Sequence, residues 1–297
     1  MKLYYKCWIL YLLLGGICQT IGQNDPFSIH NMGNIEAYRK TWENATLDEI
    51  KTWLQTGVDV NEVGEFGKTV LMWALSLNKN PEVINALIQA GADVNARDEI
   101  DTPLIMSAGG QSREIIQMLI DAGADLNAKD YAGRTLLMAV AAKNQDPEVI
   151  LMLLEPGADM DARHHSGATA LMDAAEHNSN PEIIHTLIQN GADVNAEDNS
   201  GLTVLIKSAS RNQNPEVINV LLQAGAEIDA QNDSMLITAL MWAARFNENP
   251  EIILTLLQAG ADPKIKDIAG QIAIDHARQN EHLKDTDAYK QLEAASN

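Results

Sequence analysis

Asp173 and His177 stand four residues apart, the spacing that puts two side chains on one face of a helix, with Glu176 between them and His164-His165 a short way upstream. Carboxylates and imidazoles gathered in this way could bind a metal ion or exchange a proton, which makes an enzyme centred on Asp173 and His177 one reading of the chain. Lys207 and Arg211 argue for a blander one. They follow Asp173 and His177 by 34 residues each, so if the chain repeats at that spacing, Lys207 falls beside Asp173 as a surface ion pair. His164 and His165 are also direct neighbours on an extended segment and point to opposite sides. The chain contains no glycine-rich phosphate loop, H-E-x-x-H, G-x-S-x-G or paired-carboxylate pattern. No catalytic residue, metal or cofactor is therefore expected.

The elements that would carry these residues are read most cleanly from Asn180 to Ala209. Asn180 can cap the free amides of a first helical turn, Pro181 suits the first helical position, and Glu182 places negative charge at the positive end of the helix dipole. Ile183, Ile184, Leu187 and Ile188 form an apolar stripe at helical spacing. Gly191 ends the helix in the left-handed conformation. A turn-rich segment follows, and Thr203-Val204-Leu205-Ile206 opens a second short helix. Such a helix–loop–helix unit cannot bury its apolar face alone.

Copies of it are present. The glycine recurs as Gly57, Gly91, Gly123, Gly157, Gly191, Gly225 and Gly260, and the phrase after it as Gly91-Ala92-Asp93-Val94-Asn95-Ala96, Gly123-Ala124-Asp125-Leu126-Asn127-Ala128 and Gly157-Ala158-Asp159-Met160-Asp161-Ala162. A helix opening recurs as Thr69-Val70-Leu71-Met72, Thr102-Pro103-Leu104-Ile105, Thr135-Leu136-Leu137-Met138, Thr169-Ala170-Leu171-Met172 and Thr238-Ala239-Leu240-Met241. A period near 33 residues with two helices and a turn is the mark of ankyrin arrays. From about residue 34 to 295 the chain closely resembles the ankyrin-repeat family, in a form similar to bacterial, exported members. The resemblance implies an all-α fold: an ankyrin-repeat solenoid of about eight helix–loop–helix units, including degenerate N- and C-terminal caps, over residues 34–297. Met or Ile replaces the histidine of the family's T-P-L-H opening, so the loop-bracing hydrogen bonds of that histidine are expected to be missing.

In this family the loop tips and the exposed side of each first helix form a concave surface that binds proteins. Carried onto this sequence, the positions that could meet a partner include Trp73, Met106, Tyr131, His164, Asp173, His177, Lys207, Arg211, Trp242, Arg245 and Phe246. Trp73 and Trp242 hold the same place in the second and seventh repeats. Each is either a binding anchor or a side chain packed against the next first helix. The expected function is thus a protein-binding scaffold, with a passive structural spacer as the alternative to it and to the enzyme.

Residues 1–22 differ in kind. Lys2 and Lys6 precede a short apolar run, Trp8 to Leu14, and Thr20-Ile21-Gly22 offers small residues where a signal peptidase reads. This is the pattern of a secretory signal peptide, followed by a flexible lead-in over residues 23–33. Acylation at Cys18 is a less favoured alternative. Both cysteines, Cys7 and Cys18, lie inside the leader, so a processed chain beginning near Gln23 has no thiol and is expected in the periplasm or outside the cell. The chain carries 21 basic and 41 acidic residues, a net charge of −20. That surface disfavours nucleic acid and anionic membranes and suits a basic protein partner, or solubility alone. Local departures from the repeat are Gly109-Gly110 after the third first helix, Pro156 at the end of the fourth second helix, and Ser234-Met235-Leu236-Ile237 where other loops have a Ser-Gly turn.

Overall fold

A computed structural model describes residues 35–64, 67–108 and 112–296. The leader, both cysteines, the lead-in and Gly109-Gly110 lie outside the described residues. Cα packing divides the chain into two compact units: one contains residues up to Ser107 together with Gln111–Ala124, and the other begins at Asp125, with Ala108–Gly110 added to it.

The first unit holds α1 (Ile35–Asn44), α2 (Leu47–Leu54), α3 (Val70–Leu77), α4 (Pro81–Gln89), α5 (Pro103–Ser107) and α6 (Arg113–Asp121). First helices pack on first helices and second on second, α1 on α3 on α5 and α2 on α4 on α6. The degenerate first repeat closes with Trp42 edge-on to Trp53, ring centroids 6.2 Å apart, and with Thr46 and Glu49 forming a reciprocal cap at the start of α2. Lys40, Glu43, Asp48, Glu49 and Lys51 are all exposed, as the outer face of a terminal repeat requires.

The second unit continues the pattern through α7 (Leu136–Lys143), α8 (Pro147–Leu154), α9 (Ala170–His177), α10 (Pro181–Gln189), α11 (Val204–Arg211), α12 (Pro215–Gln223), α13 (Ala239–Phe246), α14 (Pro250–Gln258), α15 (Ala273–Ala277), a 3-10 turn (Glu281–Leu283) and α16 (Asp287–Ser296). The described residues are helical apart from one isolated bridge, Glu197 to Thr203, and none of the helices is long and apolar enough to cross a membrane. The expected caps form: Asn80, Asp146, Asn180, Asn214 and Asn249 each accept from the amide two residues on, with Pro at the next position. Ser112 opens α6 without such a bond. Pro156 shortens α8 to eight residues, where α10, α12 and α14 have nine.

Each second helix buries the centre of its stripe, Ile183, Ile184 and Leu187 in α10 and Ile252, Ile253 and Leu256 in α14, with Ile188 and Leu257 half-buried at the edge. Two asparagine series tie neighbouring repeats. Buried Asn178 donates to the carbonyls of Ala141 and Asn144 one repeat back and accepts from Asn180 N–H. Asn78, Asn212, Asn247 and Asn280 bridge in the same way. On the loops, Asn195 donates to Gly225 O and accepts from Glu227 N–H, repeating what Asn61 does with Gly91 and Asp93. The asparagines of the first series can be buried because most of their lone pairs and protons meet backbone groups, while Asn61 and Asn195 on the loops are exposed.

Candidate functional site

In the third to seventh repeats the first helix has one position that the core only half covers, while its equivalents Trp73 and His276 are buried. The position is the fourth residue after the capping threonine, and it reads Trp73, Met106, Ala139, Asp173, Lys207 and Trp242, then His276 after Ile272. The two residues just before it are buried in the second to seventh repeats, as Leu171-Met172 and Leu240-Met241 show. This position changes its chemistry from repeat to repeat, as do those three and four residues further on, which read Glu176, Ser210 and Arg245, then His177, Arg211 and Phe246, in the fifth to seventh repeats.

In three repeats the side chain there reaches back nine residues to its own loop. Lys207 Nζ lies 3.6 Å from Asp198 Oδ2, His276 Nε2 lies 3.0 Å from Asp267 Oδ2, and His164 Nε2 lies 3.5 Å from Asp173 Oδ1. The fifth repeat thus reverses the order of acid and base. These pairs brace the loop where the family uses its threonine-motif histidine, one residue further along the helix. Loop and helix are joined after all, by other side chains. Ser166 N–H donates to His164 Nδ1 at 3.2 Å, which leaves the Nε2 proton directed at Asp173. His165 stays exposed on the opposite side.

Lys207 does not pair with Asp173, as the 34-residue spacing predicts. It pairs with Glu176 Oε2 at 3.0 Å as well as with Asp198. The lysine finds its own loop aspartate and the glutamate one turn down α9, while Asp173 is already engaged by His164. Arg211 Nε reaches Glu176 Oε1 at 3.4 Å and His177 Nε2 lies 3.9 Å from the same atom. Burial pushes the Asp173 carboxyl above its ordinary value, against the opposing pull of His164, His177 and Lys207. Asp267 goes the other way. Burial would raise it, but the N–H groups of Gln271 and Ala269 and the His276 ring together hold it below its ordinary value.

The aromatic positions divide. Trp73 is 7% exposed, with Lys68 Nζ 5.5 Å from its ring centroid and 3.4 Å from Asp98, so it is a packed side chain that shows solvent only an edge. Trp242 is half-buried and lies against Phe246, ring centroids 4.7 Å apart, with the Arg245 guanidinium 5.4 Å from the Phe246 ring. Phe246 remains 49% exposed and Tyr131, at a loop tip, 78%. Met106 is half-buried on α5. Tyr131 and the charged and aromatic residues from His164 to Phe246 belong to the second unit; Trp73 and Met106 belong to the first.

Sequence reasoning missed two features. One is the set of nine-residue pairs, whose signal was the reappearance of an ionisable residue five before and four after the helix-opening residue. The other is a strained loop tip at Met235-Leu236, discussed below. Among the described residues, no group of three or more His, Cys, Asp or Glu side chains is placed to hold a metal ion. A small cleft lined by Met160, Asp161, Arg163, Thr169 and Asp193 includes neither Asp173 nor His177.

Charge is also divided. In the second unit the loop tips and first helices (residues 129–145, 163–179, 197–213 and 231–248) carry seven basic and seven acidic residues. The second helices and the loops after them (146–162, 180–196, 214–230 and 249–265) carry one basic and twelve acidic. The acidic excess of this unit lies on the second helices and their loops, and the candidate face is balanced.

A family model described as ankyrin repeats (3 copies) matches the chain at residues 41–130, 105–198, 136–232 and 171–267. The chain is also similar to YahD of Escherichia coli (strain K12), named as an ankyrin repeat protein, with 44% identity over 52 residues. That match takes in 18% of this chain and 25% of the relative's length.

Proposed function

The chain belongs to the ankyrin-repeat family, and from that premise we propose that it is an exported, non-catalytic scaffold that holds a partner protein against the loop tips and first helices of its second unit. Repeats of this family typically mediate protein–protein interaction. The observation that carries the reading here is that the first-helix positions holding Asp173, Lys207 and Trp242 vary in chemistry while the buried residues just before them do not. Packing explains constant leucines and asparagines. It does not explain Asp173, Lys207 and Trp242 at one structural place. Export rests on the leader pattern of Lys2, Lys6 and the apolar run. The balanced charge of the candidate face removes the need for a basic contact surface there, although the net charge of −20 still favours a partner that is basic elsewhere.

The test is capture of the partner from the source cell, followed by affinity measurements with Trp242→Ala and Arg245→Ala on the one hand and Glu182→Ala and His185→Ala on the other. Glu182 and His185 are exposed on α10. The first pair should weaken binding by about tenfold or more each and the second pair by less than about twofold. The reverse result would place the interface on the second helices.

A further inference from the structure

The seventh loop keeps the left-handed turn of its neighbours without their glycine. Two residues before the helix-opening residue, five loops have Gly67, Gly133, Gly167, Gly201 and Gly270, all with φ between 71° and 84°, and the third has Ile100. The seventh has Leu236 there, with φ 56°. A leucine in this left-handed conformation crowds its own Cβ against the backbone, a strain glycine escapes. Its side chain is still 40% exposed, so packing offsets the strain only in part. Met235 beside it is 41% exposed and Ile268, on the next tip, 70%.

The tips are held together. Ile268 N–H donates to Met235 O at 3.0 Å, as His165 N–H does to Ala132 O and Asn199 N–H to Ser166 O in the preceding pairs. Those earlier tips carry polar side chains at the donor position; this one carries isoleucine. The Gln231 side chain donates to Leu236 O and to Lys266 O, Leu236 N–H donates to Asn232 O, and Ile237 N–H donates to Asn232 Oδ1.

Resting on the proposed function, we propose that Met235, Leu236 and Ile268 form a rigid apolar knob that seats in an uncharged, apolar pocket of the partner protein. The partner reads side chains first, because Met235 O, Leu236 N–H, Leu236 O and Ile268 N–H are bonded within the chain, which leaves no continuous edge for an added strand. A second copy of this chain is disfavoured as the occupant, since each brings a net charge of −20. The flanking charges, Asp233 and Lys266, offset one another, so nothing at the knob selects for a charged rim. Strain kept at an exposed position points to a use outside the fold.

Photo-crosslinking of the full chain in its source cell tests this, with benzoylphenylalanine in place of Ile268, His177 or Glu182. The proposal expects the Ile268 probe to join one discrete protein through a peptide rich in apolar and free of charged residues. Adding Leu236→Gly should cut that adduct by about tenfold or more while leaving the chain at least as stable. An adduct from the His177 probe with none from Ile268 overturns the knob and leaves the proposed function standing. Adducts from Glu182 alone overturn both. Adducts between two copies of the chain, or a yield unchanged by Leu236→Gly, overturn the knob.

Discussion

The fifth and sixth repeats meet solvent with ion pairs, whereas the seventh and eighth meet it with aromatic and aliphatic side chains, and the framework beneath the two regions is nearly the same. In the first region His164, Asp173, Glu176, His177, Lys207 and Arg211 satisfy one another. Most of these charges are half-buried and already paired within the chain, so a partner that covered them would gain little after the cost of desolvation. In the second region Trp242, Phe246, Met235, Leu236 and Ile268 stay partly uncovered. Covering them removes apolar area from water, which is where binding energy concentrates. The difference teaches that a repeat array can hold its architecture fixed while its surface chemistry changes, and on the proposed function the affinity belongs to the apolar region.

The largest effect should be the one that fails to distinguish the regions. Leu187 and Leu256 hold the same place in α10 and α14, and both are fully buried. Leu187→Ala and Leu256→Ala should each cost about 2–5 kcal/mol in denaturant unfolding. A loss below about 0.5 kcal/mol at either would mean that the shared framework, and with it the comparison, is drawn wrongly.

A smaller effect should separate them. Leu236→Gly should stabilise the chain by about 0.5–1 kcal/mol, the relief of left-handed strain less the added freedom of the unfolded glycine. The matching exchange in the charged region, Gly167→Leu, should destabilise, since a Cβ on Gly167 runs into Asn199. Thermal unfolding of both variants checks the pair. Stabilisation by both would remove the special standing of the seventh loop.

The smallest effects concern pH and have opposite signs in the two regions. Asp267 is held below its ordinary value of 3.8, so the folded state binds its proton less readily than the unfolded one. Its contribution is complete above 3.8 and is lost as pH falls through the folded value. Asp173 is raised above 3.8; it therefore costs stability above its folded value, and that cost fades as pH falls toward 3.8. Asp267→Asn should accordingly lower stability at neutral pH and Asp173→Asn should raise it, with both differences shrinking in acid. Unfolding free energies measured between pH 3 and pH 7 decide this; a shared sign would show that burial does not dominate at Asp173.

Much of this was legible in the sequence. The period, the Asn-Pro-Glu helix starts and the apolar stripes are local and repeated, so each copy corroborates the others. Their positions in the structure follow residue for residue. The site was less legible, because a side chain's partner depends on reach and burial rather than on spacing along the chain. Lys207 shows this: its 34-residue offset from Asp173 is real, yet Asp198 and Glu176 lie within its reach and His164 has taken Asp173. The pair Trp73 and Trp242 shows it again, since one helix position yields a packed ring in one repeat and a half-buried one in another. Asn178 and its equivalents look like ordinary loop residues until the carbonyls they bridge are in view.

The most direct test sets the two regions against each other on the captured partner, by measuring the dissociation constants of Phe246→Ala and Arg211→Ala side by side, both with the fold confirmed. Both side chains are exposed at the last turn of a first helix, so neither change should disturb the core. Phe246→Ala should weaken binding by about tenfold or more, and Arg211→Ala by less than about threefold. A large loss at Arg211 with none at Phe246 would put the affinity in the charged region and contradict the account.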